Sequence, residues 1–378
     1  MLYYNQPFKL ENTKYPRFLF SDIFLTDKTI GIISIIYPDT EQKYSEIECK
    51  ISGLEKIFSF NKKIMREKYE SNVYAYIDDK DLNNFIKNND KVDLNITYQN
   101  ITKNYQIQKI PKKKYNLALS TLFKDDYYLL LSWIEYYILL GVEHFFLYYN
   151  KKIDTKMTNI IKKYIENDIV TIIEWDFVHK LPEIQKLDPT LTLVKESYKN
   201  NYHHSQPMSM SHCLNYYGTK CKWLGFLDLD EYIVTTKYLK LNDILNQYEY
   251  NKTAAIKFYC MWADLEGVDF RNDLIKNSYH VFNNFNTIRK LESEGTFYRT
   301  KCIVNPNNIN ICGVHRVKDY DNKKYTEHLL NENDAYFLHY YKFSGGWGGR
   351  DKRDPLRGNK KILDNQIVKM IKYNSVYN

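Results

Sequence analysis

The chain has 378 residues, which is enough for one large α/β domain and a smaller companion, each with its own core. With 44% hydrophobic and 26% charged residues, its composition excludes a disordered or fibrous protein. The net charge of +8 is mild and spread along the chain, which argues against a nucleic-acid partner but suits a phosphorylated ligand.

Short β-type runs dominate the first 110 residues, separated by turn formers such as Pro38-Asp39. The predicted strands cover residues 17–25, 29–37, 44–51, 72–77, 92–98 and 105–110. A basic connector at 111–114 follows, and the pattern then changes. We therefore predict a β-rich N-terminal domain over 1–112 and a second domain over 113–378.

Beyond the connector, apolar strands alternate with segments of helical periodicity. In chain order, we predict strand 116–123, helix 126–141, strand 142–148, helix 155–167, strand 169–175, helix 206–218 and strand 223–227. Asp154 is expected to cap the second of these helices at its N-terminus. Such alternation predicts an α/β fold with a largely parallel sheet, which binds ligands beyond the carboxyl ends of its strands.

An acidic cluster follows the last of these strands. In KWLGFLDLDEYIV, an apolar run leads directly to Asp228, Asp230 and Glu231. A divalent cation relieves the repulsion among such carboxylates, and Mg²⁺ or Mn²⁺ keeps coordination sites open for diphosphate oxygens. A solvated acidic turn is the alternative interpretation of a DxD pattern, but its position after a buried strand favours a metal site.

Four segments after residue 115 resemble the glycosyltransferases of the GT-A fold, specifically family 92 and related family 2-like transferases. In order, they are LALSTLFKDDYYLLLSWIEYYILLGVEHFFLYYN, QPMSMSHCLNYYGTKCKWLGFLDLDEYIV, IVNPNNINICGVHRV and AYFLHYYKFS. Their order and spacing are more specific than any one segment. The resemblance implies a Rossmann-like mixed sheet flanked by helices.

Carried over by position, the resemblance implies roles for several side chains. Asp228 and Asp230 would serve the metal and the donor, with Asp230 as the direct ligand, and His339 would meet the same ion or the diphosphate. Lys342 and Arg357, close to the loop GGWGGR, would contact the donor phosphates. By pattern alone, a histidine in FLHYY is typical of a packed strand, and the basic residues are equally typical of a solvated tail.

Other carboxylates have two interpretations each. Asp125 and Asp126 follow the opening strand, where they would contact the donor nucleoside or cap the next helix. Tyr149 stands where relatives often carry an acidic residue, so uridine recognition through a carboxylate there is in doubt. Asp264 and Glu266 are candidates for the catalytic base, or are surface carboxylates in a loop.

The resemblance implies a metal-dependent glycosyltransferase, using Mn²⁺ or Mg²⁺ to move a hexose from a UDP-sugar to a hydroxyl of a glycan or glycoprotein acceptor, with inversion. One rival is a catalytically inactive carbohydrate-binding or scaffold protein on the same fold. A second rival, a two-metal phosphoryl-transfer enzyme, would need a further carboxylate and a stronger basic groove.

Six cysteines form no CxxC pair, so we expect them to be reduced and mostly buried, without zinc. The sequence shows neither a signal peptide nor a run of about 18 apolar residues long enough to span a membrane. We expect a cytoplasmic location, or a place in a larger assembly that supplies the membrane contact. The pattern leaves the oligomeric state open.

Overall fold

The fold is that of a computed structural model, which describes most of the chain. The described residues are 1–10, 17–35, 44–67, 70–110, 114–177, 205–238, 240–263, 287–289, 300–320, 324–340 and 361–362.

The chain divides into two compact units. The large unit contains residues 1–2, 114–173 and 221–378, and the small unit contains residues 3–113 and 174–220. The small unit thus combines the β-rich N-terminal segment with a stretch from the middle of the chain.

The N-terminal segment consists mainly of β-strands. They are β1 (Leu2–Tyr4), β2 (Phe8–Leu10), β3 (Arg17–Phe20), β4 (Asp22–Leu25), β5 (Ile30–Ile35), β6 (Glu48–Ile51), β7 (Ile57–Ser59), β8 (Asn61–Glu67), β9 (Glu70–Tyr76), β10 (Lys91–Tyr98) and β11 (Ile101–Gln108). Two four-stranded sheets run in the orders β4-β5-β9-β8 and β11-β10-β6-β7. In β10 buried and exposed residues largely alternate, as expected of a strand with one face on the core. The β-rich prediction for this segment is confirmed.

One helix in this segment, α1 (Lys80–Asn88), was not predicted from the sequence. The side chain of Asp79 caps it by accepting hydrogen bonds from the backbone N–H groups of Asp81 and Leu82, at 2.8 and 3.2 Å. Leu82 and Ile86, four residues apart, bury the inner face of the helix. Two buried positions in nine residues are too weak a period to detect among so many polar neighbours.

The alternating pattern that the sequence predicts is observed over residues 115–226, and mainly strands follow in the described part beyond it. The elements are β12 (Tyr115–Phe123), α2 (Leu130–Leu139), β13 (His144–Tyr149), α3 (Thr155–Ile160), α4 (Lys162–Glu166), β14 (Val170–Glu174), α5 (Ser205–His212), β15 (Cys221–Phe226), β16 (Glu231–Thr235), α6 (Leu241–Leu245), β17 (Thr253–Ala263), β18 (Thr287–Arg289), β19 (Thr300–Val304), β20 (Ile309–Cys312), β21 (Val317–Tyr320), β22 (Thr326–Leu329), β23 (Ala335–His339) and β24 (Lys361–Ile362).

Three predicted helices differ in detail from the observed ones. The helix expected over 126–141 begins with a 3-10 turn at Tyr127–Leu129 before α2. The helix expected over 155–167 is interrupted at Ile161, although Asp154 caps it as predicted, accepting from the backbone N–H of Met157 at 2.8 Å. The helix expected over 206–218 changes after α5 into a wider π-type turn. Periodicity alone does not distinguish these tighter and wider turns from α-helix.

The large unit is organised around a mixed sheet, in which strands run in the order β14-β13-β12-β15-β19-β17-β18-β24. β12 is parallel to both β13 and β15, whereas β19 is antiparallel to β15 and to β17. β23 is parallel to β17 and antiparallel to β16. The sheet is therefore mixed, as the resemblance implies. Among the alternating strands, β12 pairs in parallel with β13 and β15 as predicted, and the antiparallel pairing comes from the later strands.

No helix within the described part of the chain is long and apolar enough to cross a membrane. Five of the six cysteines are buried, which confirms the prediction that most of them are, and all six are free thiols.

Candidate functional site

The acidic cluster lies at the carboxyl edge of the parallel strands. β15 ends at Phe226, and the backbone N–H of Leu227 still donates to the carbonyl of Ser120 in β12, at 3.2 Å. Asp228 and Asp230 lie in the turn that follows. The carboxylates therefore occupy the edge at which open α/β sheets bind their ligands.

Asp230 and His339 are brought together by the pairing of β16 with β23. Glu231 lies opposite His339 in that pair, and the backbone N–H of Tyr340 donates to the carbonyl of Asp230 at 2.8 Å. Nε2 of His339 lies 3.4 Å from Oδ2 of Asp230, and both residues are buried. Burial would lower the pKa of His339, but the carboxylates around it, Asp230 first and then Glu231 and Asp228, together raise it.

A lysine that the sequence did not suggest completes the cluster. Nζ of Lys301, on β19, lies 2.8 Å from Oδ2 of Asp228 and 2.9 Å from Oε2 of Glu231. Its side chain is only 2% exposed, whereas that of Asp228 is 35% exposed. Burial would lower the pKa of Lys301, but the two carboxylates raise it above its ordinary value, so the ammonium is charged.

Glu231 supports this arrangement from the first position of β16. Its Oε2 also accepts the backbone N–H of Asp228 at 2.9 Å, which closes the turn between the two residues. Burial raises the pKa of Glu231 to about 7, against the opposing effect of Lys301. Burial would raise the pKa of Asp228 as well, but Lys301 holds it below its ordinary value. Asp228 is therefore the ionised partner of Lys301 at neutral pH.

Aromatic side chains of α2 hold the backbone behind the acidic turn. Nε1 of Trp133 and the hydroxyl of Tyr137 both donate to the carbonyl of Glu231, at 3.2 and 3.0 Å. The Tyr137 hydroxyl in turn accepts the backbone N–H of Ile233 at 2.9 Å. Trp133, one of the residues on which the resemblance rests, thus has a defined structural role.

Removing the Tyr137 hydroxyl is expected to destabilise the large unit. In Tyr137→Phe, the buried N–H of Ile233 loses its acceptor, and an unsatisfied buried donor costs about 1–3 kcal/mol. Denaturant unfolding measures the loss, and hydrogen exchange of the Ile233 amide localises it. Tyr164→Phe is the matched control, since its hydroxyl bonds to the partly exposed Glu135 at 2.7 Å. Equal effects of the two substitutions would contradict the role assigned to Tyr137.

Asp125 and Asp126 lie beyond the carboxyl end of β12. Asp125 forms an ion pair with Lys151, and Asp126 precedes the 3-10 turn without a capping hydrogen bond from its side chain. For Asp126 the capping alternative is therefore wrong at this turn, whereas the side chain of Asp125 is paired with Lys151. The hydroxyl of Tyr149 donates to Asp154 at 2.9 Å, so this tyrosine is tied to the cap of α3.

The remaining predicted site residues lie outside the described residues. They are the candidate bases Asp264 and Glu266, and the candidate phosphate contacts Lys342 and Arg357 in and around the Gly-rich loop.

The donor set suits a divalent ion that is shared with a ligand. Within the described residues, no group of three or more His, Cys, Asp or Glu side chains is arranged to hold a metal. Mg²⁺ in phosphate-binding sites uses one or two protein carboxylates, and phosphates and waters supply the remaining ligands. Oδ2 of Asp230 and Nε2 of His339 are 3.4 Å apart, close to the roughly 3 Å that separates neighbouring ligands at about 2.1 Å from an octahedral ion. The residues present therefore fit Mn²⁺ or Mg²⁺ bound jointly with a diphosphate.

The chain is similar in sequence to proteins of Arabidopsis thaliana and Ricinus communis. A galactan β-1,4-galactosyltransferase of Arabidopsis thaliana is 26% identical over 237 residues, which is 60% of this chain and 38% of that protein. A glycosyltransferase family 92 protein of Ricinus communis is 26% identical over 125 residues, which is 33% of this chain and 17% of that protein. The chain spans well under half the length of either relative.

Solved structures of a mannosyltransferase, Ktr4p of S. cerevisiae, have low similarity. Ktr4p is 12% identical with a TM-score of 0.24 over 41% of each chain. Its complex with GDP is 11% identical with a TM-score of 0.24, over 44% of this chain and 47% of that one.

The glycosyltransferase family 92 domain matches residues 113–372, a range that contains every residue of the acidic cluster. Because this match covers well over half of the sequence, the chain belongs to glycosyltransferase family 92.

Proposed function

We propose that the protein is a metal-dependent glycosyltransferase that moves a hexose from a UDP-sugar to a hydroxyl of a glycan or glycoprotein, with inversion. The observation that carries the proposal is the Asp230–His339 pair at the carboxyl edge of the sheet, 3.4 Å apart, in a chain of family 92. Asp230 and His339 would hold Mn²⁺ or Mg²⁺. When bound, that ion would neutralise the charge that develops on the departing diphosphate.

UDP-galactose is the first donor to test. The name of the Arabidopsis relative specifies galactosyl transfer through a β-1,4 linkage. A β-linked product made from an α-linked nucleotide sugar requires inversion at the anomeric carbon. In such a step the acceptor hydroxyl gives its proton to a carboxylate, its oxygen bonds to the anomeric carbon, and the bond from that carbon to the diphosphate oxygen breaks. Asp264 and Glu266 stay our candidates for that carboxylate.

The proposal is tested by thermal unfolding of the whole chain with Mn²⁺ and a panel of nucleoside diphosphates and nucleotide sugars. Because a ligand that binds only the native state stabilises it, a concentration 100 times its dissociation constant should add about 2.7 kcal/mol. We expect a rise in Tm with UDP or a UDP-sugar that needs Mn²⁺, is reversed by EDTA and is lost in Asp230→Ala. If no nucleotide at millimolar concentration raises the Tm of the folded protein, the carbohydrate-binding alternative is favoured instead.

A further inference from the structure

Lys301 is a buried cation next to the residues that we propose bind Mn²⁺ or Mg²⁺. Its ammonium is buried and contacts one oxygen each of Asp228 and Glu231, at 2.8 and 2.9 Å. A buried ammonium needs such partners, because it is costly to remove from water without them. Two of the three carboxylates in the motif therefore already have a positive partner in the protein itself.

The strand that carries Lys301 is held in place on both sides of the residue. Leu224 and Gly225 of β15 pair with Val304 and Ile303 of β19, and continuing this register puts Lys301 beside the acidic turn. Thr300 is joined to the loop after β20 by two contacts. Its hydroxyl donates to the carbonyl of His315 at 2.6 Å, and its carbonyl lies 3.1 Å from Nδ1 of His315. The backbone of Lys301 is thus fixed beside the acidic turn, where its buried ammonium contacts both carboxylates.

A metal ion at Asp230 and His339 would lie close to Lys301, because Glu231, which contacts the ammonium at 2.9 Å, follows Asp230 and lies opposite His339. Like charges repel strongly where water is largely excluded, so the ammonium weakens the attraction of the site for a bare divalent ion. A diphosphate brings two or more negative charges with it and offsets that repulsion. The geometry therefore favours arrival of the metal together with the diphosphate over a tightly bound resident metal.

We propose that Lys301 is a positioning residue that keeps Asp228 and Glu231 out of the metal coordination sphere and makes metal binding dependent on the nucleotide. The proposal rests on the proposed function and assigns the metal to Asp230 and His339 alone. It also leaves Asp228 a different task, since its carboxylate is held by Lys301 at Oδ2 while its side chain is 35% exposed.

The proposal is tested by titrating the whole chain with Mn²⁺ alone at pH 8. Binding is measured as the loss of the EPR signal of the free ion. Wild type should bind bare Mn²⁺ weakly and bind it more tightly once UDP is added. Lys301→Met removes the charge but keeps most of the stem, and should tighten binding of bare Mn²⁺ about tenfold or more. It should also lower the Tm without metal and show a larger rise with Mn²⁺ than wild type does. Lys301→Arg keeps the charge and should retain wild-type affinity.

Lys257→Met is the matched control. Lys257 is on the neighbouring strand β17, opposite Cys302 of β19. Its ammonium pairs with Glu327 at 3.1 Å, away from the acidic turn. The substitution should leave Mn²⁺ affinity unchanged. If Lys301→Met does not unfold cooperatively, Lys301→Gln serves instead, because its neutral amide can still donate to the carboxylates.

The outcomes separate this inference from the proposed function. Unchanged or weaker Mn²⁺ binding in the folded neutral variants would overturn the role of Lys301, even if wild type binds UDP with Mn²⁺. Failure of wild type to bind UDP with Mn²⁺ would overturn the proposed function whatever Lys301→Met does. Tight binding of bare Mn²⁺ by wild type would contradict the nucleotide dependence.

Discussion

Asp230→Asn is expected to lower the rate of sugar transfer at least about a hundredfold, because it removes the carboxylate that lies 3.4 Å from Nε2 of His339 and that, on the proposed function, would hold the ion neutralising the leaving diphosphate. The fold should survive, since asparagine has the same shape and the backbone carbonyl of residue 230 still accepts the N–H of Tyr340. The loss should appear in the transfer rate at saturating donor and in the affinity for Mn²⁺ with UDP. Release of UDP during transfer to a glycan acceptor measures the first quantity, and titration with Mn²⁺ measures the second.

Two controls make this result specific. Asp228→Asn should cost less, because its amide oxygen can still accept from Lys301 and it is not assigned to the metal. Asp334, just before β23, is a surface carboxylate that pairs with Lys237. Asp334→Asn should transfer sugar like wild type. If Asp228→Asn were the more damaging of the two motif variants, the assignment of Asp230 as the direct ligand would be wrong.

The position of the acidic motif could be predicted because its cause is local. An apolar run of strand length followed at once by Asp228 and Asp230 puts the carboxylates at a strand end, and the alternating helices make that strand part of a parallel group. His339 is different. Its pattern alone is typical of a packed strand, and only the resemblance to family 92 connected it with the motif.

Lys301 could not be predicted because its role depends on pairing across 73 residues of sequence. In TKCIVN, a lysine at the beginning of a strand is most simply a solvated side chain. Only the antiparallel register of β19 with β15 shows that it enters the acidic turn. The same limit applies to the antiparallel part of the sheet, since the direction of β19 is decided by the path of the later chain rather than by any local pattern.

The small unit contains a second polar cluster that the sequence did not indicate. Asp22, the first residue of β4, is fully buried. Its Oδ1 accepts the backbone N–H groups of Gln6 and Ile23 at 2.7 and 3.0 Å. Its Oδ2 accepts the hydroxyl of Tyr3 at 2.7 Å and lies 2.9 Å from Nε2 of His212. One carboxylate therefore joins the N-terminal segment to α5, a helix almost two hundred residues further along the chain.

His212 lies among aromatic rings, so neither member of the pair has access to water. The ring centroids of Phe24 and Trp175 lie 5.1 and 5.0 Å from that of His212, and the side chains of Asp22 and His212 are both 0% exposed. Removing one member of a buried pair leaves the other with polar atoms that no solvent can satisfy. The cost of such a change is correspondingly large.

Asp22→Ala is expected to destabilise the small unit by about 3–5 kcal/mol, which is typical of breaking a buried pair from one side. Asp22→Asn should cost less, about 1–3 kcal/mol, because its amide oxygen can still accept the two backbone N–H groups. Asp90→Ala is the surface control, since its carboxylate pairs with Lys109 at 3.1 Å but is 73% exposed, and it should cost at most about 1 kcal/mol.

A local reporter is needed, because a chain of two units need not unfold in one step. Trp175 supplies it, as the only tryptophan in the sequence of the small unit, and its ring lies against that of His212. With fluorotryptophan incorporated, the ¹⁹F resonance of Trp175 should reach its unfolding midpoint at lower denaturant in Asp22→Ala, while the resonances of Trp133 and Trp223 in the large unit respond less. A shift no larger than that of Asp90→Ala would mean that the buried pair does not stabilise the small unit. If alanine destabilises the small unit more than asparagine does, and both more than wild type, the contacts of both Asp22 oxygens contribute to joining α5 to the N-terminal segment.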